Sequence, residues 1–390
     1  MNQTNGFIYF DNAASSWPKP PSVIEAVSRT LTECGANPGR GSHAMAVEAS
    51  RVLFQTRKKL AKLFGVRNPN DIAYCLNTTH ALNVAIQGFV GEGDHVVCTA
   101  IEHNSVRRPL EYLKRVKGVR VTYVKTSEKG ELPASKVVEA MTERTKLVVV
   151  NHSSNLLGSI VPLAEIAVAV KQRGAKLLVD AAQTAGVLDI DVGAMGIDLL
   201  AFPGHKGLYG PQGTGGLYIA PDIELAPMIH GGTGSQSEAV EQPSVRPDRY
   251  EAGTQNTPGI AGLGAGVDFV LHETPAKIHT KEWALTQRMM EGLLSIPEIA
   301  ILGPDVGEQR TGIVAFAIKQ ADPSEVAYIL DQHYRIAVRS GFHCTPLAHE
   351  MAGTTATGAV RASAGYFNTD GEVDDFIRAI AEIADSYRLK

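Results

Sequence analysis

Lys206 lies in Phe202-Pro203-Gly204-His205-Lys206-Gly207, 26 residues beyond Asp180 in Val179-Asp180-Ala181-Ala182-Gln183. Each motif follows an apolar run of strand type. An aspartate closing one strand and a lysine just past the next suit pyridoxal 5'-phosphate (PLP). The lysine amine holds the aldehyde as a Schiff base, and the carboxylate keeps the pyridine nitrogen protonated so that the ring accepts electrons. Taken singly, Lys206 reads as a surface lysine and Asp180 as a helix N-cap; the pairing carries the reading. Gln183, three residues on, either reaches the phenolic oxygen of the ring or is a solvated helix residue.

Other polar groups follow strand-like runs in the same way. Asn77-Thr78-Thr79-His80 opens a helix, so Thr78 and Thr79 offer N–H groups and hydroxyls to a phosphate, or form a plain N-cap. Glu102-His103-Asn104-Ser105 presents a histidine that stacks on the ring and handles protons, or sits in a polar loop. Asn155, at the end of Asn151-His152-Ser153-Ser154-Asn155, meets the ring oxygen or makes a turn. Arg361 clamps a substrate carboxylate bidentately, or pairs with one of the acidic residues at 372–375.

The four cysteines, Cys34, Cys75, Cys98 and Cys344, are widely spaced with no Cys-x-x-Cys, which argues against a disulfide framework and a zinc site. Cys75 and Cys98 fall in apolar runs and read as inert core thiols; no role attaches to Cys34. Cys344 differs. It sits in Arg339-Ser340-Gly341-Phe342-His343-Cys344-Thr345-Pro346, a loop with a cation and a histidine beside it, surroundings that favour an accessible thiolate.

These groups need a scaffold. From about 70 to 220, short apolar runs alternate with helical periodicity, as at 133–141 and 162–173, which predicts a mainly parallel sheet covered on both faces. Ligands in such sheets bind at the carboxyl ends of the strands, where Asp180 and Lys206 fall. Residues 221–260 read as a long irregular segment, and a long helical stretch begins after Gly262. The glycines at 262, 264 and 266 lack a dinucleotide fingerprint and read as close helix packing. A smaller α+β unit follows. The expected division is a large PLP-binding α/β domain over 16–260, and a small domain of 1–15 with 261–390 carrying the Cys344 loop. At 390 residues, 44% hydrophobic, 20% charged and net charge −4, the chain offers no electrostatic case for nucleic acid or a membrane surface. No apolar run reaches the length of a bilayer span and no leader pattern opens the sequence, so the expected location is cytoplasmic.

Together these motifs resemble the PLP-dependent cysteine desulfurases of the class V aminotransferase family. The likeness runs from Tyr9-Phe10-Asp11-Asn12-Ala13-Ala14, through Asn37-Pro38-Gly39-Arg40-Gly41-Ser42-His43, to Gly365-Tyr366-Phe367-Asn368-Thr369. The loop 339–344 is similar to that of the SufS-like (type II) branch, which also holds selenocysteine lyases. The resemblance implies fold type I of the PLP-dependent transferases and a homodimer. It implies Lys206 as the cofactor lysine, Asp180 at the ring nitrogen, His103 stacked on the ring, and Asn155 with Gln183 at its oxygen. Thr78, Thr79 and His205 would hold the phosphate, with Thr254 reaching the phosphate of the neighbouring subunit. Arg361, with Asn12 and Ala13 near it, would take the carboxylate of L-cysteine. Cys344 would carry the sulfur as a persulfide to an acceptor protein or small thiol, as in sulfur mobilisation for iron–sulfur cluster assembly. Two positions depart from the pattern: Pro203 replaces a phosphate-binding serine, and Phe342 replaces a histidine. The alternatives are a selenocysteine lyase, another class V lyase or aminotransferase in which Cys344 is incidental, and a PLP-fold scaffold that only binds partners.

Overall fold

Seven strands form the central sheet, in the order β2-β8-β7-β6-β5-β3-β4. They are β2 (Ile72–Cys75), β3 (His95–Thr99), β4 (Arg120–Val124), β5 (Thr145–Asn151), β6 (Lys176–Asp180), β7 (Leu199–Pro203) and β8 (Gly215–Ile219). The computed structural model describes residues 6–39 and 41–388; Arg40, within one of the motifs above, lies outside them. Only β8 runs against the others. Helices cover both faces, so strands such as β5, with Leu147 to Val150 fully buried, are continuously apolar. The chain adds β4 at one edge and then reverses to lay β5 on the other side of β3. That reversal opens a crevice at the carboxyl ends of β3 and β5.

A second core forms around a four-stranded antiparallel sheet, β12-β13-β10-β9, made of β9 (Ile299–Leu302), β10 (Ile313–Ile318), β12 (Arg339–Gly341) and β13 (Ala359–Ser363). β1 (Ile8–Tyr9) pairs in parallel with β11 (Ile336–Ala337). Phe10, fully buried, stacks edge-on against Phe376 at 5.5 Å, so the N-terminal segment belongs to this second core.

The irregular segment ends earlier than its glycine content suggested. A helix runs Thr257–Glu273, with Asn256 accepting from Gly259 N as its cap, and a second follows at Pro275–Leu294. The glycines sit inside the first helix for steric reasons: a Cβ at Gly266 would lie 2.2 Å from Leu208 O, and one at Gly262 2.7 Å from Val27. Ile260, Leu263 and Val267 join the large core. The boundary expected at 260/261 falls within this helix.

Candidate active site

A cavity of about 290 Å³ opens at the carboxyl ends of β2, β3, β5, β6 and β7. It is lined by Ala13, Thr78, Thr79, His103, Asn155, Asp180, Gln183, His205, Lys206 and Arg361, which brings together ten of the residues singled out from sequence. Asn12 lines a smaller adjoining cavity of about 40 Å³, shared with Ala13, Gln183 and Lys206. Thr254 lies elsewhere, on an exposed stretch. Cys344 does not line the main cavity. It is exposed in an adjoining groove that shares His103, Thr79 and Ser105 with it.

Each group is fixed by the end of its own strand. Asp180 closes β6, 2% exposed, and its carboxylate accepts from Ala182 N at 2.9 Å. Burial raises its pKa to about 6, a shift partly offset by that N–H bond and by Lys206. Burial and the nearby Arg361 guanidinium push the Lys206 amine down to about 8. The Lys206 loop is clamped from the N-terminal segment: Ser16 Oγ donates to Lys206 O at 2.8 Å and Lys19 Nζ to His205 O at 3.0 Å. Asn77 caps the helix Thr78–Phe89, accepting from His80 N at 2.9 Å, and so aims its N-terminus at the cavity. Thr79 Oγ1 lies 2.7 Å from Ser105 Oγ.

His103 caps the next helix, Asn104–Lys117, by accepting from Ser105 N at 3.0 Å through Nδ1. Burial, then the charge on Lys206, lowers its pKa to about 4; burial and Lys206 do the same to His205. Both rings are neutral at physiological pH. Glu102, one residue before His103, is 2% exposed; it accepts from Thr99 Oγ1 at 2.6 Å and Asn151 N at 2.8 Å, tying the loops after β3 and β5 together.

Arg361, 1% exposed on β13, does not take its partner from 372–375. It donates to Asp11 Oδ1 and to Asn155 O, both at 2.9 Å. The nearby carboxylates are already engaged: Glu372 with Asn368 and Thr369 N, Asp374 with Arg288, Asp375 with Arg378. Asn155 Nδ2 donates to His343 O at 2.6 Å. His343 and Cys344 are consecutive left-handed residues, φ 51 and 59, unusual outside glycine. Cys344 O accepts from Asn104 N at 2.8 Å, and Arg339 Nη2 approaches Cys344 Sγ at 3.9 Å. Asp11 and Glu102 carry no signal of their own in the sequence, though Asp11 stands one residue from a site residue, whereas Arg339 is the cation of the cysteine loop.

Five buried polar atoms of residues lining the cavity have no partner among the described residues: Thr78 Oγ1, Asn155 Oδ1, His205 Nδ1, His343 Nδ1 and Arg361 Nε. Each costs about 1–3 kcal/mol when left unpaired in a protein interior. One hydroxyl, one amide oxygen, two imidazole nitrogens and one guanidinium suit a ligand that brings phosphate, a ring oxygen and a carboxylate. The donor set therefore fits PLP with an amino acid substrate.

Residues 8–376 match the family described as aminotransferase class-V. The chain belongs to the class V aminotransferase family, among its cysteine desulfurases. Its cofactor is PLP. It is 38% identical over 384 residues to a probable cysteine desulfurase of Methanothermobacter thermautotrophicus, spanning 97% of this chain and 94% of that protein. The cysteine desulfurase of Thermococcus onnurineus, solved in its apo form, superposes with a TM-score of 0.92 at 34% identity, over 98% of this chain and 96% of that one. The Escherichia coli cysteine desulfurase CsdA superposes with a TM-score of 0.88 at 25% identity, over 98% and 96%.

Proposed function

We propose that the protein, as a member of the SufS-like branch, moves the sulfur of L-cysteine onto Cys344 and releases L-alanine. The observation that carries this is an exposed thiol, beside a guanidinium, in a groove that shares its wall with the lysine cavity. PLP, when bound, supplies an electron sink for charge left at the substrate α-carbon.

The protein's own groups divide the remaining work. Arg361 takes the substrate carboxylate, with Asp11 fixing the guanidinium plane and Asn12 and Ala13 alongside. Lys206 would hold the cofactor aldehyde, and its Nζ would move the substrate α-proton. Asp180, buried at the end of β6, would keep a proton on the ring nitrogen. Asn155 and Gln183 would meet the ring oxygen. Thr78, Thr79 and His205 would hold the phosphate, without the serine that Pro203 replaces. The neutral His103 ring would stack on the cofactor and pass protons. Cys344 Sγ, as thiolate, attacks the substrate sulfur: an S–S bond forms, the sulfur–Cβ bond breaks, and its electron pair stays with the three-carbon fragment, which takes up protons to become alanine. Purified holoenzyme given L-cysteine and a thiol reductant should release alanine and sulfide in equal amounts. A keto acid product would show an aminotransferase instead.

The depressed Lys206 pKa gives a pH dependence. The neutral amine is the nucleophile, so covalent uptake of PLP by apoprotein should quicken as pH rises and level off above about 8. Stopped-flow absorbance after mixing apoprotein with PLP measures this. A rate still climbing tenfold per unit at pH 9.5 would mean that Lys206 is not depressed.

Thr254 is exposed and outside its own cavity, as a residue serving a neighbouring subunit would be. Ile24, Leu31, Met45, Val47 and Phe54 are also exposed, on helices Pro21–Glu33 and Ala44–Leu63. Both features support a homodimer. Sedimentation should give a dimer, and Thr254→Ala should weaken PLP binding without changing the absorbance of the bound cofactor; a fully active monomer would refute this. No helix among the described residues is long and apolar enough to cross a membrane.

A further inference from the structure

A groove of about 450 Å³ leads away from Cys344 between the helices Thr78–Phe89 and Asn104–Lys117. One wall carries Asn83 and Gln87, the other Arg108 and Tyr112. Each pair is four residues apart and so shares a helix face. The amide wall is braced: Gln87 Nε2 donates to Asn83 Oδ1 at 2.7 Å, and Asn83 Nδ2 to Thr79 O at 2.9 Å. The other wall continues outward to Arg115, whose guanidinium lies 5.8 Å from the Tyr112 ring centre. Tyr112 is 46% exposed, and Phe342, two residues before Cys344, is 48% exposed.

The charge here runs against that of the molecule. The chain as a whole carries −4, yet the helix Asn104–Lys117 holds five basic residues and one carboxylate. That carboxylate, Glu111, is occupied by Lys114 at 3.7 Å and by the Tyr123 hydroxyl at 2.9 Å. The helix thus has no carboxylate to spare for Arg108 and Arg115. An amide wall suits the backbone of an extended chain, and an arginine–tyrosine wall suits its acidic side chains.

We propose that this groove receives an extended acidic segment of a separate, thiol-bearing acceptor protein, with its cysteine at Cys344 and its carboxylates on Arg108 and Arg115. The inference rests on the reading of Cys344 as the sulfur carrier. From Thr79 to Gln87 the wall is about 12 Å long at ~1.5 Å per residue, a span that an extended chain covers in about four residues. The carboxylates therefore fall about four residues from the thiol. In the transfer, the acceptor thiolate attacks the outer sulfur of the Cys344 persulfide. A new S–S bond forms on the acceptor, the old one breaks, and its electron pair leaves on Cys344 Sγ, so no oxidant or reductant is consumed.

Short synthetic peptides test this, each with one cysteine and, four residues from it, a pair of aspartates, serines or lysines. Each serves as sole acceptor for the holoenzyme with L-cysteine, and alanine release is measured. At low salt the aspartate peptide should exceed the serine peptide in kcat/KM by at least about fivefold, and the lysine peptide should be slowest. The spread should collapse at about 0.5 M salt, where charges are screened within a few ångströms. Arg108→Gln/Arg115→Gln should abolish the preference, while turnover with dithiothreitol, a small uncharged thiol, stays within about twofold. Equal rates for the three peptides, or a preference that survives in the double variant, would overturn the proposal. Failure of the underlying reading looks different: dithiothreitol-driven turnover would persist in Cys344→Ala.

Discussion

Lys206→Ala will purify as a folded, colourless protein whose turnover of L-cysteine is down by about 10³- to 10⁴-fold, the scale of a lost general base. Among the residues lining the main cavity it is the one lysine. The nearest rival amine is Lys19, also lowered to about 8 by burial. Lys19 is committed elsewhere, donating to Ser16 Oγ at 2.8 Å and to His205 O at 3.0 Å. The change should cost little stability. Burial opposes the ammonium form of Lys206, and the Asp180 carboxylate keeps its bond to Ala182 N when the amine is gone. The apoprotein should melt within about 3 °C of the parent. Borohydride treatment with PLP, followed by peptide mapping, reads the outcome. A reduced adduct on Lys19 in the variant, with turnover retained, would assign the covalent role to the wrong lysine here.

The site was legible in sequence because a parallel sheet converts order along the chain into position in space. Asp180, Lys206, His103 and Asn155 all follow apolar runs, and every such run ends at the same edge of the sheet. Each of these four polar residues, at or just past the end of its strand, lines the cavity. The partner of Arg361 was hidden because it is non-local. Asp11 is 350 residues away and reaches it only because the N-terminal segment bridges to β13 at Ser363. A local carboxylate at 372–375 was the natural expectation, and nothing in the sequence reveals that each of those is already held. The helix start at Thr257 was obscured for a different reason. Gly259, Gly262, Gly264 and Gly266 lower helix propensity, and their value, close approach to Asn256, Val27, Thr56 and Leu208 in turn, exists only in the packed structure. The left-handed pair His343–Cys344 is likewise invisible to propensity, since neither residue type favours that conformation.

Cys344→Ala should separate cofactor chemistry from sulfur transfer. The variant should bind PLP, and the cofactor absorbance should still respond to L-cysteine, because Lys206, Asp180 and Arg361 are untouched. Alanine at φ 59 carries a Cβ just as cysteine does, so the strained loop gains no new penalty. Asn104 N and Asn155 Nδ2 still hold the backbone on either side of residue 343–344, since both bond to carbonyl oxygens. Alanine release from L-cysteine should nonetheless fall on the order of 10³-fold or more, as when a protein nucleophile is deleted. Selenocysteine should lose less, because the weaker carbon–selenium bond needs less nucleophilic help. In the parent enzyme, a brief pulse of L-cysteine should leave one added sulfur on the Cys344 peptide by mass spectrometry. Cys34, Cys75 and Cys98 should stay unmodified: all three are buried, and burial raises the pKa of the Cys75 and Cys98 thiols. Full cysteine turnover in Cys344→Ala would move the mechanism to direct elimination of sulfur, with Lys206 and His103 handling every proton and no sulfur ever bonded to the protein.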